Sequence, residues 1–231
     1  METQQYKLSR LKSFDGVQLT ENTYNLTIGL VLLWGILINT VMARFFTVQI
    51  LTLPQIAVII LYFVLGIGGT MSVFKSKNPV ISFCGFTLLS VGMGLLLTYI
   101  LSMYEGHTIY SAFLMTGIVT VSMMIASTLF PAFFLGLGKT LGLSLLIAIA
   151  VELIGGLFFH LRLGVMDYIM VLIFSGYVGY DWSKAQIFPK TLDNAIDSAA
   201  DIYVDIVNLF IRILRIMGKK NNGKQSALTD R

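Results

Sequence analysis

Seven apolar stretches, separated by short polar breaks that often carry Gly or Pro, make up most of this chain. They cover residues 24–46, 54–74, 79–104, 108–130, 140–159, 165–180 and 194–218. Most approach or exceed the roughly 20 residues that cross a hydrocarbon core as a helix. They are continuous rather than alternating, so each satisfies its backbone internally as a helix and not as a barrel strand. Pro54 opens the second run, Asn78-Pro79 makes a tight turn into the third, and Pro131 breaks the fourth. Residues 1–23 form a polar N-terminal segment, and 219–231 a polar tail that reads as mobile. The longest internal loop is expected at 182–193. The first run is too long for a signal-peptide core and lacks a cleavage pattern after it, so it reads as a retained span.

Composition fixes the class. Hydrophobic residues make up 56% and charged residues 12%, with a mean hydropathy of +0.81. Soluble domains average about 45–50% and 25%. The expected fold is therefore an all-α polytopic membrane protein, a seven-helix transmembrane domain over 24–218. The net charge of +4 does not point to nucleic acid, because the basic residues lie between and after apolar runs and read as topology signals. With seven spans, eight Lys/Arg fall on the side of the N-terminus: Lys7, Arg10, Lys12, Lys75, Lys77, Lys139, Lys184 and Lys190. The opposite loops hold Arg44 and Arg162, which puts the N-terminus in the cytoplasm. Arg212, Arg215 and the basic tail then fall on or near the far side. Either the last run crosses fully, its orientation fixed by earlier helices, or it enters and returns. Full crossing fits its length and its lack of internal Gly or Pro.

That last run carries the chemistry. At 100° per residue, Asp197, Asp201, Asp205, Asn208, Arg212 and Arg215 fall within an arc of about 80° on an otherwise apolar helix. Each central Asp costs about 2.5–3.5 kcal/mol to insert. Such a stripe faces protein or water, not lipid. Asp181, at the end of the sixth run, is close enough in sequence to reach it, and Glu152 lies midway along the fifth. Two carboxylates sharing a dry site cannot both ionise cheaply, so they titrate as a pair, and losing the shared proton pushes their helices apart. When ionised, the same oxygens suit a hard cation such as Ca²⁺. The plainer reading is that these groups cap helices or pair with Arg and Lys; it applies best to Asp197, near the first turn, and least to Asp205. Glu152 suits an ion path or a bond to a neighbouring helix equally well. Lone Cys84 reads as a packing residue, His107 and His160 as interfacial groups, and the glycines inside the spans as points of close helix approach.

The end of the sixth run, Tyr180-Asp181, and the segment AADIYVDIVNLFIRILRIMG together resemble the transmembrane Bax inhibitor motif family, especially its bacterial branch. Its pattern there is a Y/F-D-T-Q-like element followed by L-Y-L-D-x-x-N-L-F-x-x-L-L-R-x-x-G. Tyr203, Asp205, Asn208, Leu209, Phe210, Leu214, Arg215 and Gly218 match the second element. The resemblance implies a bundle with the last helix central, in a bacterial plasma membrane. It implies a pH-sensitive Ca²⁺ leak with Asp181 and Asp205 as sensor and as the oxygens that meet Ca²⁺. Asp201, Asp197, Glu152, Asn208 and Arg215 become supporting or path residues. Two departures stand out. Trp182-Ser183-Lys184 replaces Thr-Gln, and the second span lacks the arginine the bacterial branch uses as basic partner, leaving Lys75 and Lys77 at its end.

Three functions remain in view. The first is the pH-gated cation leak, with lipid, protons and Ca²⁺ as partners and no cofactor. The second is a non-transporting regulator of other membrane proteins. The third, an intramembrane aspartyl protease, is disfavoured because Gly179-Tyr180-Asp181 lacks the glycine directly before Asp, so no enzyme activity is expected.

Overall fold

The computed structural model describes residues 17–159 and 164–229. Most of the expected lead-in, with Lys7, Arg10 and Lys12, lies outside them, as do His160 and Arg162. The described residues form nine α-helices: α1 (Glu21–Phe45), α2 (Thr47–Leu51), α3 (Gln55–Lys75), α4 (Pro79–Leu101), α5 (Gly106–Leu129), α6 (Pro131–Gly136), α7 (Gly138–Phe159), α8 (Gly164–Ile187) and α9 (Leu192–Thr229).

Local chemistry sets the boundaries. The Thr20 hydroxyl accepts from Thr23 N at 3.3 Å, capping α1, and Asn78 Oδ1 accepts from Val80 N at 2.9 Å ahead of Pro79. Pro131 opens the short α6 just after α5 ends. Two short helices, α2 and α6, occupy breaks that hydropathy leaves blank.

The largest departure from expectation lies between α8 and α9. In place of a loop over 182–193, α8 continues to Ile187 and only 188–191 connect the helices. Residues 182–187 are polar enough to resemble a loop but hold no helix breaker; Pro189 is the first. Lys190 Nζ donates to Gln186 O at 2.9 Å and Ala185 O at 3.3 Å, satisfying the last carbonyls of α8. Burial draws the Lys190 ammonium below its ordinary pKa, partly offset by Glu21. The Thr191 hydroxyl accepts from Asn194 N at 3.2 Å and starts α9.

Among the described residues, five helices are long and apolar enough to cross a membrane: α1, α3, α4, α5 and α7 through Gly156. The other two long helices, α8 and α9, carry the ionisable residues that lower their hydropathy. Large apolar side chains such as Leu33, Ile56, Ile118, Leu146 and Leu172 are exposed, while Ser82, Asp167, Asp193 and Asn194 are buried. This polarity is inverted relative to a soluble fold and suits a lipid solvent.

The chain divides into two compact units. The first comprises Met1–Met103 and Lys184–Tyr203. In it the Tyr203 ring packs edge-on against Phe86, with centroids 5.2 Å apart, and its hydroxyl accepts from Asn39 Nδ2 at 2.6 Å. Tyr24 Oη donates to Asn194 O at 3.3 Å and lies 3.1 Å from Ser198 Oγ. The second comprises Tyr104–Ser183 and Val204–Arg231. There Trp182 Nε1 donates to Thr128 Oγ1 at 2.9 Å, and Ser183 Oγ donates to Ser127 O at 3.3 Å, tying α8 to the end of α5.

In the first unit, α3 and α4 touch backbone to backbone. A Cβ on Gly69 would lie 2.6 Å from both Gly85 O and Leu89 N, and neither can yield without moving a helix. Gly69→Val should cost about 1–3 kcal/mol by forced separation. Gly68→Ala, where a Cβ meets nothing within 4 Å, should cost far less. Thermal denaturation in detergent reads both; equal melting of the two variants would refute the close contact.

Candidate functional site

The last helix brings the charges into the protein. No residue of α9 from Asp193 to Arg215 is exposed, so its polar arc and its apolar arc are both covered. Asp193, in the first turn, accepts from Ser82 Oγ at 2.6 Å. The helix begins at Leu192, which puts Asp197 in the second turn, where it is 5% exposed.

Lys184 Nζ meets Asp201 Oδ2 at 2.7 Å, joining α8 to α9 in the first unit. Its position inside α8 rather than in a loop makes this possible. Lys184 also lies 5.9 Å from the Phe188 ring centroid. Lys75 and Lys77, the expected basic partners, are exposed at the turn from α3 to α4.

Asp181 and Asp205 both fall in the second unit, 8% and 6% exposed. Asp181 stands inside α8, not where the chain leaves it. Along its helix each Asp lies about one turn from the Lys184–Asp201 pair, on the side away from the 188–191 connection. Short connections make neighbouring helices antiparallel, so both carboxylates enter the interior from the same end of the helix pair. Asn208 is turned onto its own helix, its Nδ2 donating to Val204 O at 2.8 Å.

A third cluster, deeper along α9, joins three helices of the second unit. The Arg212 guanidinium donates to both carboxylate oxygens of Glu152 on α7, the Oε2 bond measuring 2.9 Å, and to Asp167 Oδ1 on α8 at 3.3 Å. Arg215 Nη1 stands 3.9 Å from the same Asp167 oxygen. Glu152 is thus an ion-pair partner rather than a bare polar group. Asp167 went unnoticed in the sequence; its signal was an acid at the start of an apolar run, opposite an arginine that needed a counter-charge. Among the described residues no group of three or more His, Cys, Asp or Glu side chains is disposed to hold a metal ion.

The family described as inhibitor of apoptosis-promoting Bax1 matches residues 17–222. The chain belongs to this family. An uncharacterized membrane protein of Streptococcus pyogenes serotype M6 is 30% identical over 155 residues, or 63% of this chain and 66% of its own length. A BI1-like protein of Arabidopsis thaliana is 30% identical over 159 residues, or 66% and 60%. The chain thus spans just under two thirds of the relatives it matches. An integral membrane protein of the Bax inhibitor family accounts for the apolar helices and for the motif around Asp205.

Arg212→Gln leaves Glu152 and Asp167 without their guanidinium. The cost should be about 2–3 kcal/mol, below the ~3–5 of a fully buried pair because the Glu152 side chain is 30% exposed. Adding Glu152→Gln should recover part of the loss. A melting curve of Arg212→Gln in detergent that overlays the wild type would show that the cluster contributes nothing to stability.

Proposed function

We propose that this protein is a pH-sensitive cation leak of the cell membrane, with Ca²⁺ as the transported ion and Asp181 and Asp205 as the titrating gate. One observation carries this reading: two carboxylates, each less than a tenth exposed, lie on consecutive helices of one unit, in a chain of the Bax inhibitor family. Neither cost of insertion is needed for packing, since an apolar residue would fill either position more cheaply.

The gate works by proton sharing. In a dry site one proton held between two carboxylates keeps α8 and α9 together; losing it adds a second negative charge and favours separation. The same charge attracts a cation. Two carboxylates fall short of the six to eight oxygens that a resident Ca²⁺ takes, so the ion passes as cargo with water completing its shell. Asp201, Asp197, Asn208, Glu152 and Arg215 support the route. Asp201 and Glu152 do so as ion-pair partners that hold α8 and α7 to α9 while the gate moves. Lys184 is the better candidate for basic partner than Lys75 or Lys77, because it already meets the stripe.

In this reading α8 and α9 join the five apolar helices to give seven spans, with α9 central, over residues 24–218. The polar segment 1–23 is assigned to the cytoplasm of a bacterial cell, and the polar residues after 218 continue α9 to Thr229. That no residue of α9 from Asp193 to Arg215 is exposed supports the central position. Burying the polar arc also lowers the cost of a full crossing.

Proteoliposomes loaded with a Ca²⁺ indicator test the reading. The leak should rise as pH increases. Asp205→Asn or Asp181→Asn should flatten that dependence and lower the high-pH rate by about tenfold, the scale of one pKa unit of charge stabilisation. A wild-type protein with no flux under any pH gradient, or Asn variants with an unchanged pH profile, would sink it.

A further inference from the structure

The second unit contains a polar face that the aspartate gate does not use. On α5, Thr108, Thr116, Thr120 and Ser127 are all buried and fall within an arc of about 120°. The rest of the circumference carries exposed Tyr110, Phe113, Ile118, Val121, Ile125 and Leu129. A helix in lipid has no need of hydroxyls for packing; alanine or valine would fill the same volume. Thr116 and Ser127 return their hydroxyls to their own helix, at 2.7 Å to Ala112 O and 3.3 Å to Met124 O. Thr120 is different. It is 8% exposed, and its Oγ1 has no hydrogen-bond partner among the described residues. A hydroxyl left so in a membrane interior wants a polar visitor, and water or a hydrated cation supplies one.

Its height along the bundle is informative. Gly218 of α9 abuts the Tyr104 ring just ahead of α5, leaving no room for a Cβ, so both helices leave the same level there. Counting at 1.5 Å per residue from that level, Thr116 stands about 18 Å and Thr120 about 24 Å along α5, and Asp205 about 20 Å along α9. At the far end of α5, Trp182 and Ser183 of α8 bond to Thr128 and Ser127. Thr116 and Thr120 thus stand at the depth of Asp205.

We propose that the buried hydroxyl face of α5, centred on Thr116 and Thr120, lines the route by which a hydrated cation passes Asp205. This rests on the cation-leak reading and names a wall of its path. The hydroxyl oxygens stand in for part of the ion's water shell and bind it weakly enough to release it. Thr120, with its uncommitted hydroxyl, makes the closest contact.

The test replaces the single native cysteine by Cys84→Ser and introduces Thr116→Cys, Thr120→Cys and, as lipid-facing controls, Ile118→Cys and Val121→Cys. In proteoliposomes, a small cationic methanethiosulfonate reagent should modify the first two faster than the controls by roughly an order of magnitude, since it cannot partition into hydrocarbon. Millimolar Ca²⁺ should slow that reaction. The isosteric Thr120→Val should lower Ca²⁺ flux severalfold while melting no lower than the wild type. Labelling of Thr116→Cys and Thr120→Cys as slow as at Ile118→Cys overturns the inference, as does full flux in Thr120→Val. Fast labelling in a protein that carries no Ca²⁺ would retain the water-lined face and discard the leak instead.

Discussion

Hydrocarbon offers no hydrogen bonds, and this constraint shapes every part of the molecule. A charge placed in a span must be met inside the protein or shifted to the boundary. Most of the chain avoids the problem by carrying few charges. The last two helices do not, and their acids and bases find one another across helices: Asp193 with Ser82, Asp201 with Lys184, and Arg212 with Glu152 and Asp167. Each bond also fixes a helix position, so pairing of charge and packing of helices are the same event. Many large aliphatic side chains, which gain little from one another over lipid, are exposed. Glycine contacts such as Gly69 against Gly85 then supply close backbone packing.

Burial of α9 follows from this. Its polar arc must be met by protein while its opposite arc is apolar, and no residue from Asp193 to Arg215 is exposed. Its charges are graded along its length. Near the connection to α8 an ion pair joins Lys184 and Asp201, one turn further along α9 lies the buried Asp205, and beyond it Arg212 bonds to two helices at once. Ion pairs thus anchor α9 to its neighbours at two places along its length.

The unpartnered hydroxyl of Thr120 belongs to the same economy. A polar group in the interior that lacks a protein partner is costly, and Thr120 stands at about the depth of Asp205 along the second unit.

Much of this protein was legible from residue order alone. Hydropathy runs located the five apolar spans to within a few residues, because partition between water and lipid depends on composition over about 20 positions. Pro54, Pro79 and Pro131 marked breaks, since a missing N–H acts locally. The motif through Asp205 identified the family. Tertiary structure alone decided the rest. Residues 182–187 look like a loop by polarity, yet continue α8, because their charges are answered by α9 instead of water. Lys184 turned from a topology signal into the partner of Asp201, and Arg212 gained Glu152 and Asp167 from 60 and 45 residues away. Spacing along a helix reports which residues share a face. Which charge stands opposite that face is set by how separate helices pack, and one helix's periodicity carries no record of it.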